Sequence, residues 1–271
     1  METTQAATRD QNDAKAKITS ASLNPGHEAR LLSRHNLAPS TVGLAPGYLQ
    51  VNLVILPSAY ASNFRDLCTR NPVPCPLLGF TPVGDPTRVI PEGVIMTPDF
   101  DVRTDFSSYR VLRAGREVAV VRDVLSEWTD DHVAFLIGCS LSFEEALEMA
   151  GHRLSHQDDG KVPAMYKTNI PVLPAGVFHD EEATIVVSMR PYRPEEIESV
   201  RSLTRPFLAT HGEPIAWGWE GAKRIGVADI HQPDFGDVQN FRDGEVPVFW
   251  VCDHTSRRAF HSSTCYVCGC I

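Results

Sequence analysis

Gly47-Tyr-Leu-Gln-Val-Asn-Leu-Val-Ile-Leu-Pro57-Ser58 contains a short apolar run, Val51 to Leu56, broken once by Asn52 and closed by a proline and a serine. A run of this length, rich in Val, Ile and Leu, reads as a strand, placed here from Tyr48 to Leu56. Pro57-Ser58 stops it and caps a helix to about Thr69, in which Tyr60, Phe64, Leu67 and Cys68 recur at helical spacing. Working outward, the sequence predicts a first helix from Glu28 to His35. Three prolines crowd Arg70-Asn-Pro-Val-Pro-Cys-Pro-Leu-Leu78, which excludes a helix interior or a central strand and implies an ordered extended loop. Tyr109 to Val121 reads as a hairpin turning at Arg113-Ala114-Gly115. Thr129-Asp130-Asp131 predicts the start of a buried helix over Val133 to Ile137. Ser142, with Glu145 three residues on and Gly151 beyond, predicts another. Strands are expected at Thr184 to Met189, Ile225 to Ile230 and Val246 to Cys252, with a helix from Pro194 to Leu203. Alternating strands and helices favour an α/β sheet, and the hairpin argues for a second, antiparallel piece.

The chain has 271 residues, 42% of them apolar and 22% charged, the composition of a globular protein. Acidic residues outnumber basic ones, 34 to 25, for a formal charge of −9, and no block of five or six Lys/Arg occurs. Nucleic acid and anionic membrane are therefore not expected partners. No apolar run approaches the roughly 18 residues of a membrane span. The seven cysteines follow no apolar leader, so reduced thiols and a cytoplasmic location are expected; acids among the first twenty residues fit a mitochondrial transit peptide poorly. Residues 1–22, polar and without aromatics, read as a disordered leader. Residues 23–252 read as one catalytic region of two subdomains, and 253–271 as a Cys-rich tail.

No P-loop, dinucleotide fingerprint, nucleophile elbow or H-E-x-x-H motif is present. Chemistry must reside in polar words that interrupt apolar elements, where each polar group has to be satisfied or used. Gly138-Cys-Ser-Leu-Ser-Phe-Glu144 offers backbone N–H groups and the hydroxyls of Ser140 and Ser142 as an anion cradle, against simple capping and packing of Cys139. Arg103-Thr-Asp105 offers a guanidinium that can clamp a carboxylate, against a structural Arg103–Asp105 pair. Met165-Tyr-Lys-Thr-Asn169 presents Tyr166 and Asn169 to a ligand, or Asn169 to local backbone. Val187-Ser-Met-Arg-Pro191 puts Ser188 and Arg190 at a strand's end, where a buried arginine needs a partner from protein or substrate. His211-Gly-Glu-Pro214 fixes an imidazole in a turn. Pro233-Asp-Phe-Gly-Asp237 supplies Asp234 and Asp237 as acid and base, as ligands of a divalent cation, or as a solvated turn. Cys265, Cys268 and Cys270 with His254 or His261 superficially form a zinc set, but three of these ligands crowd a few residues at the chain end.

In order and spacing these words resemble the D-glutamate cyclase family, whose bacterial members are labelled hydro-lyases. The resemblance runs from about Arg34 to Cys252. It rests on Gly47–Pro57, Cys68-Thr-Arg-Asn-Pro-Val-Pro-Cys-Pro-Leu-Leu78, Arg103-Thr-Asp105 and Ala134-Phe-Leu-Ile-Gly-Cys-Ser-Leu-Ser-Phe-Glu144. It continues through Met165–Asn169, Pro174-Ala-Gly176, Val187–Pro191, His211–Pro214, Pro233–Asp237 and Pro247-Val-Phe-Trp250. The resemblance implies a three-layer α/β/α sandwich with a smaller two-layer α+β subdomain, and closure of D-glutamate to 5-oxo-D-proline with loss of water. After Trp250 the family continues through a Thr-Pro turn to an Ile-Thr-His-Ala-Pro-Gly-like segment. This chain instead has Asp253-His-Thr-Ser-Arg-Arg-Ala-Phe-His261 and the cysteine tail.

The expectation is a lyase acting on a small anionic substrate, with no cofactor evident beyond the divalent cation conceivable at Asp234 and Asp237, and with a homo-oligomer compatible. Arg190, with Arg103 second, would hold the carboxylate; Asp234, Asp237 or His211 would free the amine; Ser140, Ser142 and Glu144 would serve the oxyanion and the departing hydroxide. Two alternatives stand beside it. One is a thiol hydrolase or acyl transferase with Cys139 as nucleophile, which iodoacetamide would inactivate. The other is a non-catalytic small-molecule binding module.

Overall fold

The computed structural model describes residues 2–95, 97–180, 182–258 and 266–270. In chain order the elements begin with α1 (Glu2–Ala21), α2 (Pro25–Arg34), β1 (Val51–Pro57), α3 (Ser58–Arg70), β2 (Leu77–Phe80), β3 (Tyr109–Arg113), β4 (Arg116–Val121) and β5 (His132–Gly138). They continue with α4 (Glu144–Met149), α5 (Ser155–Asp158), β6 (Ala164–Pro171), β7 (Thr184–Tyr192), α6 (Ile197–Thr204), β8 (Ala216–Trp217), α7 (Gly218–Arg224), β9 (Val246–Cys252), α8 (His254–Arg258) and β10 (Tyr266–Cys270). The chain is α/β and divides into two compact units. One comprises residues 1–58, 79–136 and 264–271, the other residues 59–78 and 137–263.

The first unit is built on a six-stranded sheet in the order β2-β5-β1-β10-β3-β4. Strand β10 lies antiparallel between β1 and β3, with Leu53 opposite Gly269 and Val267 opposite Val111. Leu53, Val54, Ile55 and Leu56 are all buried, so β1 is covered on both faces, as these four consecutive apolar residues require. The hairpin forms where expected. Ala114 and Gly115 both have positive φ, +48° and +73°, the pattern of a type I′ turn, whose twist matches that of the flanking strands.

Helix α2 starts on Asn24, whose side chain accepts from the His27 backbone N–H at 2.9 Å. Its charged face presents His27, Arg30 and Arg34 to two aspartates. Asp105, fully buried, is held by Arg30 and by Arg34, and Asp99 by all three side chains. Burial works to raise the Asp99 pKa, but the hydrogen bonds and charges of His27 and Arg30 prevail and bring it far below the usual range.

The second unit contains the antiparallel sheet β6-β7-β9-β8. Because side chains alternate across a strand, β7 serves two environments. Val187 and Met189 join Tyr166, Phe249 and Ala216 in a core closed by Ala222, Ile225, Val227 and Ile230 from α7 and the loop after it. Tyr192, with Val248 and Trp250 of β9, faces the opposite core, closed by Phe143, Leu147, Leu154 and Val200 from α4, α6 and their flanks. Helices thus cover both faces of this sheet, a three-layer arrangement.

Four local expectations differ from the structure. Val133 to Ile137 lie in strand β5, between β2 and β1, not in a helix. A short run that is apolar at every position fits a buried strand as well as a buried helix, and Thr129-Asp130-Asp131 makes a turn, closed by His132 N–H to the Thr129 carbonyl at 3.1 Å. The helix expected at Ser142 begins earlier, through a 3-10 turn at Ser140–Phe143. Ile225 to Ile230 is not a strand: Gly226, at φ +84°, ends α7, and its apolar neighbours are buried as loop. Residues 2–21, expected as a disordered leader, form α1; Ala, Gln, Glu and Lys are good helix formers.

Ala114 carries the left-handed conformation at a cost that Asn or Gly lowers. Ala114→Asn, giving the favoured Asn-Gly turn, is expected to stabilise the protein by about 0.5–1 kcal/mol. In urea the unfolding midpoint should rise with the slope unchanged; an unaltered or lower midpoint would show that this turn is not strained.

Candidate active site

Arg190, in the middle of the sheet of the second unit, is only 1% exposed. A guanidinium so placed must find partners, and the word Ser140-Leu-Ser-Phe-Glu144 supplies them. The 3-10 turn delivers Glu144 at the first position of α4. Arg190 Nε donates to Glu144 Oε1 at 2.8 Å, and Nη2 donates to the same oxygen. Nη2 also donates to Ser140 Oγ at 3.3 Å and Nη1 to Ser188 Oγ at 3.2 Å. The Phe143 and Trp250 rings stand 5.1 and 5.4 Å from the guanidinium carbon, where the ring quadrupoles add to the cation's stabilisation. The second oxygen of Glu144 accepts from Gln157 Nε2 at 2.8 Å and meets His156 Nε2 at 3.2 Å. Burial acts to raise the Glu144 pKa; Arg190 and His156 outweigh it and bring it down to about 2. Glu144 is therefore a carboxylate at neutral pH. It orients Arg190 and cannot supply a proton to departing hydroxide, the role expected of it from sequence.

His211 is built into the same unit by two backbone devices. Its φ is +84°, a left-handed conformation uncommon outside glycine. The turn that carries it, 208–210, lies against Gly138, and a Cβ at 138 would run into the Ala209 carbonyl oxygen. The proline-rich loop then fixes the ring: His211 Nδ1 lies 2.8 Å from the Val73 carbonyl. Nδ1 therefore carries the hydrogen and Nε2 the lone pair. Nε2 is buried and has no hydrogen-bond partner among the described residues. Burial lowers the His211 pKa most; the Asp253 charge and the backbone of Val73 and Gly138 oppose this, and the Arg190 charge lowers it further. The net shift is downward, so at neutral pH His211 is an uncharged base under the influence of a guanidinium.

The sequence profile of the D-glutamate cyclase family, described as D-glutamate cyclase, matches residues 133–269. The chain is 46% identical over 229 residues to the protein named "Putative hydro-lyase C5H10.01" of Schizosaccharomyces pombe, covering 84% of this chain and 74% of that one. It is likewise 46% identical over 233 residues to "Putative hydro-lyase YcsI" of Bacillus subtilis, covering 86% and 87%. A Rhodopseudomonas palustris protein named "Putative hydro-lyase" is 44% identical over 235 residues, 87% of this chain and 83% of that one. The chain belongs to the D-glutamate cyclase family.

In this family member the structure brings Ser140, Glu144, Ser188 and Arg190 into contact and His211 within electrostatic range of Arg190. The other nominated residues fall elsewhere. Tyr166 points to the opposite core and donates to the Ile230 carbonyl at 2.7 Å. Asn169 Nδ2 donates to the Arg224 carbonyl at 3.2 Å, a partner distant in sequence and not the local backbone. Asp234 accepts from the Lys167 N–H at 2.8 Å and pairs with Lys167 Nζ at 3.3 Å. Lys167 stands opposite Val186, about 13 Å along β7 from Arg190 at roughly 3.3 Å per residue. Asp237 accepts from the Val162 N–H at 2.8 Å. Both carboxylates pin β6 and its approach, and no third ligand gathers with them among the described residues. Arg103 belongs to the first unit and pairs with Asp101 at 2.7 Å, not with Asp105. Cys139 is buried at the head of the 3-10 turn, and Ser142 donates its N–H to the Cys139 carbonyl at 3.1 Å. His156, Gln157, Phe143 and Trp250 were not nominated; the signal that points to them is Glu144 itself, since a buried carboxylate beside a buried arginine needs further donors.

Breaking a buried pair strands one charge, so Glu144→Ala and Arg190→Met are each expected to cost about 3–5 kcal/mol. The double variant Glu144→Leu/Arg190→Met should recover most of that loss in urea unfolding, and strictly additive losses would show that the two side chains are not coupled. The His211 shift gives a second expectation. Its folded pKa lies below the unfolded value near 6.5, so its contribution to stability is complete above about pH 6.5 and declines as pH falls below it. Glu144, lowered to about 2, loses its own contribution only below about pH 4.5. Between pH 7 and 5 the wild type should therefore lose stability more steeply than His211→Asn, a residue that tolerates positive φ; equal slopes would contradict a neutral buried His211.

Proposed function

We propose that the protein is a carbon–oxygen lyase that expels water from a small carboxylated substrate, and that its reaction is closure of D-glutamate to 5-oxo-D-proline. The observation that carries the reading is the buried, unpartnered Nε2 lone pair of His211 near the Arg190 guanidinium. The family and the names of its relatives support the same class.

The proton balance of the cyclisation suits one imidazole. The substrate ammonium must lose a proton before its nitrogen attacks the γ-carboxyl carbon. The new C–N bond forms, a tetrahedral centre appears, and a second N–H proton is lost as the amide forms. The departing oxygen collects both protons and leaves as water. No external acid is consumed. His211 Nε2 takes the ammonium proton and returns it to the leaving oxygen, so Glu144 can remain ionised throughout.

Ser140 and Ser188 use their lone pairs to accept from Arg190, which leaves each hydroxyl hydrogen available for an oxyanion. Together with the unused N–H of Nη1 they offer donors where negative charge develops, and each such donor is worth about 3 kcal/mol. Ser140, Ser188, Arg190 and His211 are all 5% exposed or less, so substrate entry requires a local opening.

Incubation with D- and L-glutamate, followed by mass spectrometry for loss of one water, tests the reading. Turnover of D-glutamate to 5-oxo-D-proline is expected. His211→Asn should lower kcat about 10²–10⁴-fold, the usual worth of a general base, whereas Asp234→Asn should leave it unchanged. Full turnover in His211→Asn would remove the imidazole from the reaction, and no water loss from either enantiomer would remove the substrate.

A further inference from the structure

Strand β9 ends on Cys252, and the chain turns through Asp253 into α8 at His254. Cys252 Sγ lies 3.5 Å from Asp253 Oδ1 and 3.8 Å from His254 Nδ1. One donor atom from each of the three residues falls within 4.8 Å of the others. A tetrahedral ion imposes similar separations. With metal–sulfur near 2.3 Å and metal–nitrogen or metal–oxygen near 2.0–2.2 Å, ligand atoms stand roughly 3.3–3.7 Å apart. A further soft donor is at hand, since Met165 Sδ is 3.6 Å from Cys252 Sγ across the sheet.

The turn is held without help from an ion. Thr255 Oγ1 donates to the Cys252 carbonyl at 2.7 Å and accepts from the Val186 N–H at 2.9 Å. Ser256 Oγ donates to the Asp253 carbonyl at 2.7 Å. The His254 ring lies over Phe235, with centroids 5.1 Å apart. Donors fixed by their surroundings lose little freedom on binding, which favours affinity. Cys252 and Asp253 are buried and His254 is half-buried, so the cluster has a side open to an entering ion.

We propose that Cys252, Asp253 and His254 form a zinc site, with the Met165 thioether beside its fourth corner. A thiolate, an imidazole and one carboxylate suit zinc and exclude magnesium and calcium, which take oxygen ligands. On binding, the Cys252 S–H bond breaks, its proton goes to solvent and a sulfur–zinc bond forms. His254 contributes the lone pair of neutral Nδ1, and Asp253 enters as the carboxylate. The site uses the Cys252-Asp253-His254 word that ends β9. It assigns His254 to Cys252, not to the cysteine tail; His261 and the side chains of Cys265, Cys268 and Cys270 lie outside the described residues.

The test uses the full chain, stripped with chelator and titrated with zinc alone. One equivalent should bind and raise the Tm, and cobalt in its place should show a thiolate charge-transfer band. Because the tail cysteines are the rival ligands, the triple variant Cys265→Ser/Cys268→Ser/Cys270→Ser should keep that equivalent and its band. Cys252→Ser should abolish the band. His254→Ala should raise Kd by more than the roughly 10–100-fold that an outer partner commands, with an unchanged far-ultraviolet spectrum; should Cys252→Ser fail to fold, His254→Ala decides. Three results would overturn the proposal: no zinc bound by the wild type, zinc lost only in the tail variant, or wild-type affinity in His254→Ala.

Discussion

The second unit depends on one buried ion pair. Arg190 and Glu144 are 1% and 2% exposed, and removing two charges from water costs several kcal/mol per ion even after relaxation. The attraction of the pair offsets that cost only because almost every remaining valence is filled. Ser140 and Ser188 take two guanidinium hydrogens, Gln157 and His156 take the second carboxylate oxygen, and two aromatic rings flank the cation. The pair joins β7 to the start of α4, two elements 46 residues apart in sequence. Its geometry therefore fixes the 3-10 turn and the hydroxyls that the turn carries.

Much of this was legible from residue type and period. Thr184–Tyr192, Val246–Cys252, the 109–121 hairpin and the 194–204 helix were read close to their observed bounds, since each carries an uninterrupted period and a clear stop. Ser140, Glu144, Ser188, Arg190 and His211 were legible because a polar group inside an apolar element must be satisfied or used. Strand β5 was not, because an apolar run with no period does not distinguish strand from helix. Asp234, Asp237 and Asn169 are ambiguous for a related reason: side chains that bind the backbone of a segment distant in sequence look identical in sequence to catalytic ones. Tyr166 was misplaced by parity alone, one residue along β6 from Met165, which is on the other face. The function of the proline loop was not legible, because the Val73 carbonyl meets His211 from 138 residues away.

Polar atoms without protein partners concentrate around the ion pair. His211 Nε2, His156 Nδ1, Ser155 Oγ and Tyr192 OH are all buried and unmatched, and each such group costs about 1–3 kcal/mol. His211 adds a left-handed backbone of roughly 1–2 kcal/mol. The first unit handles its charges differently: Asp99 and Asp105 share Arg30 and Arg34 from one helix face, a closed arrangement that ties α2 to the loop before β3. Strain and unmatched polarity persist where a structure has another use for them, and in this the Arg190 region differs from the Arg30–Arg34 network.

The alternation of β7 explains how one strand can tolerate both demands. Val187 and Met189 see only apolar neighbours, so substitutions there change packing and act on stability. Ser188 and Arg190 see each other, Ser140 and Glu144, so substitutions there act on charge placement. A shift of register by one residue would exchange the two sets and bury a guanidinium in the Tyr166–Phe249 core without a carboxylate, a cost far larger than any single contact. The ion pair is thus also the restraint that permits only one register for the strand that carries it.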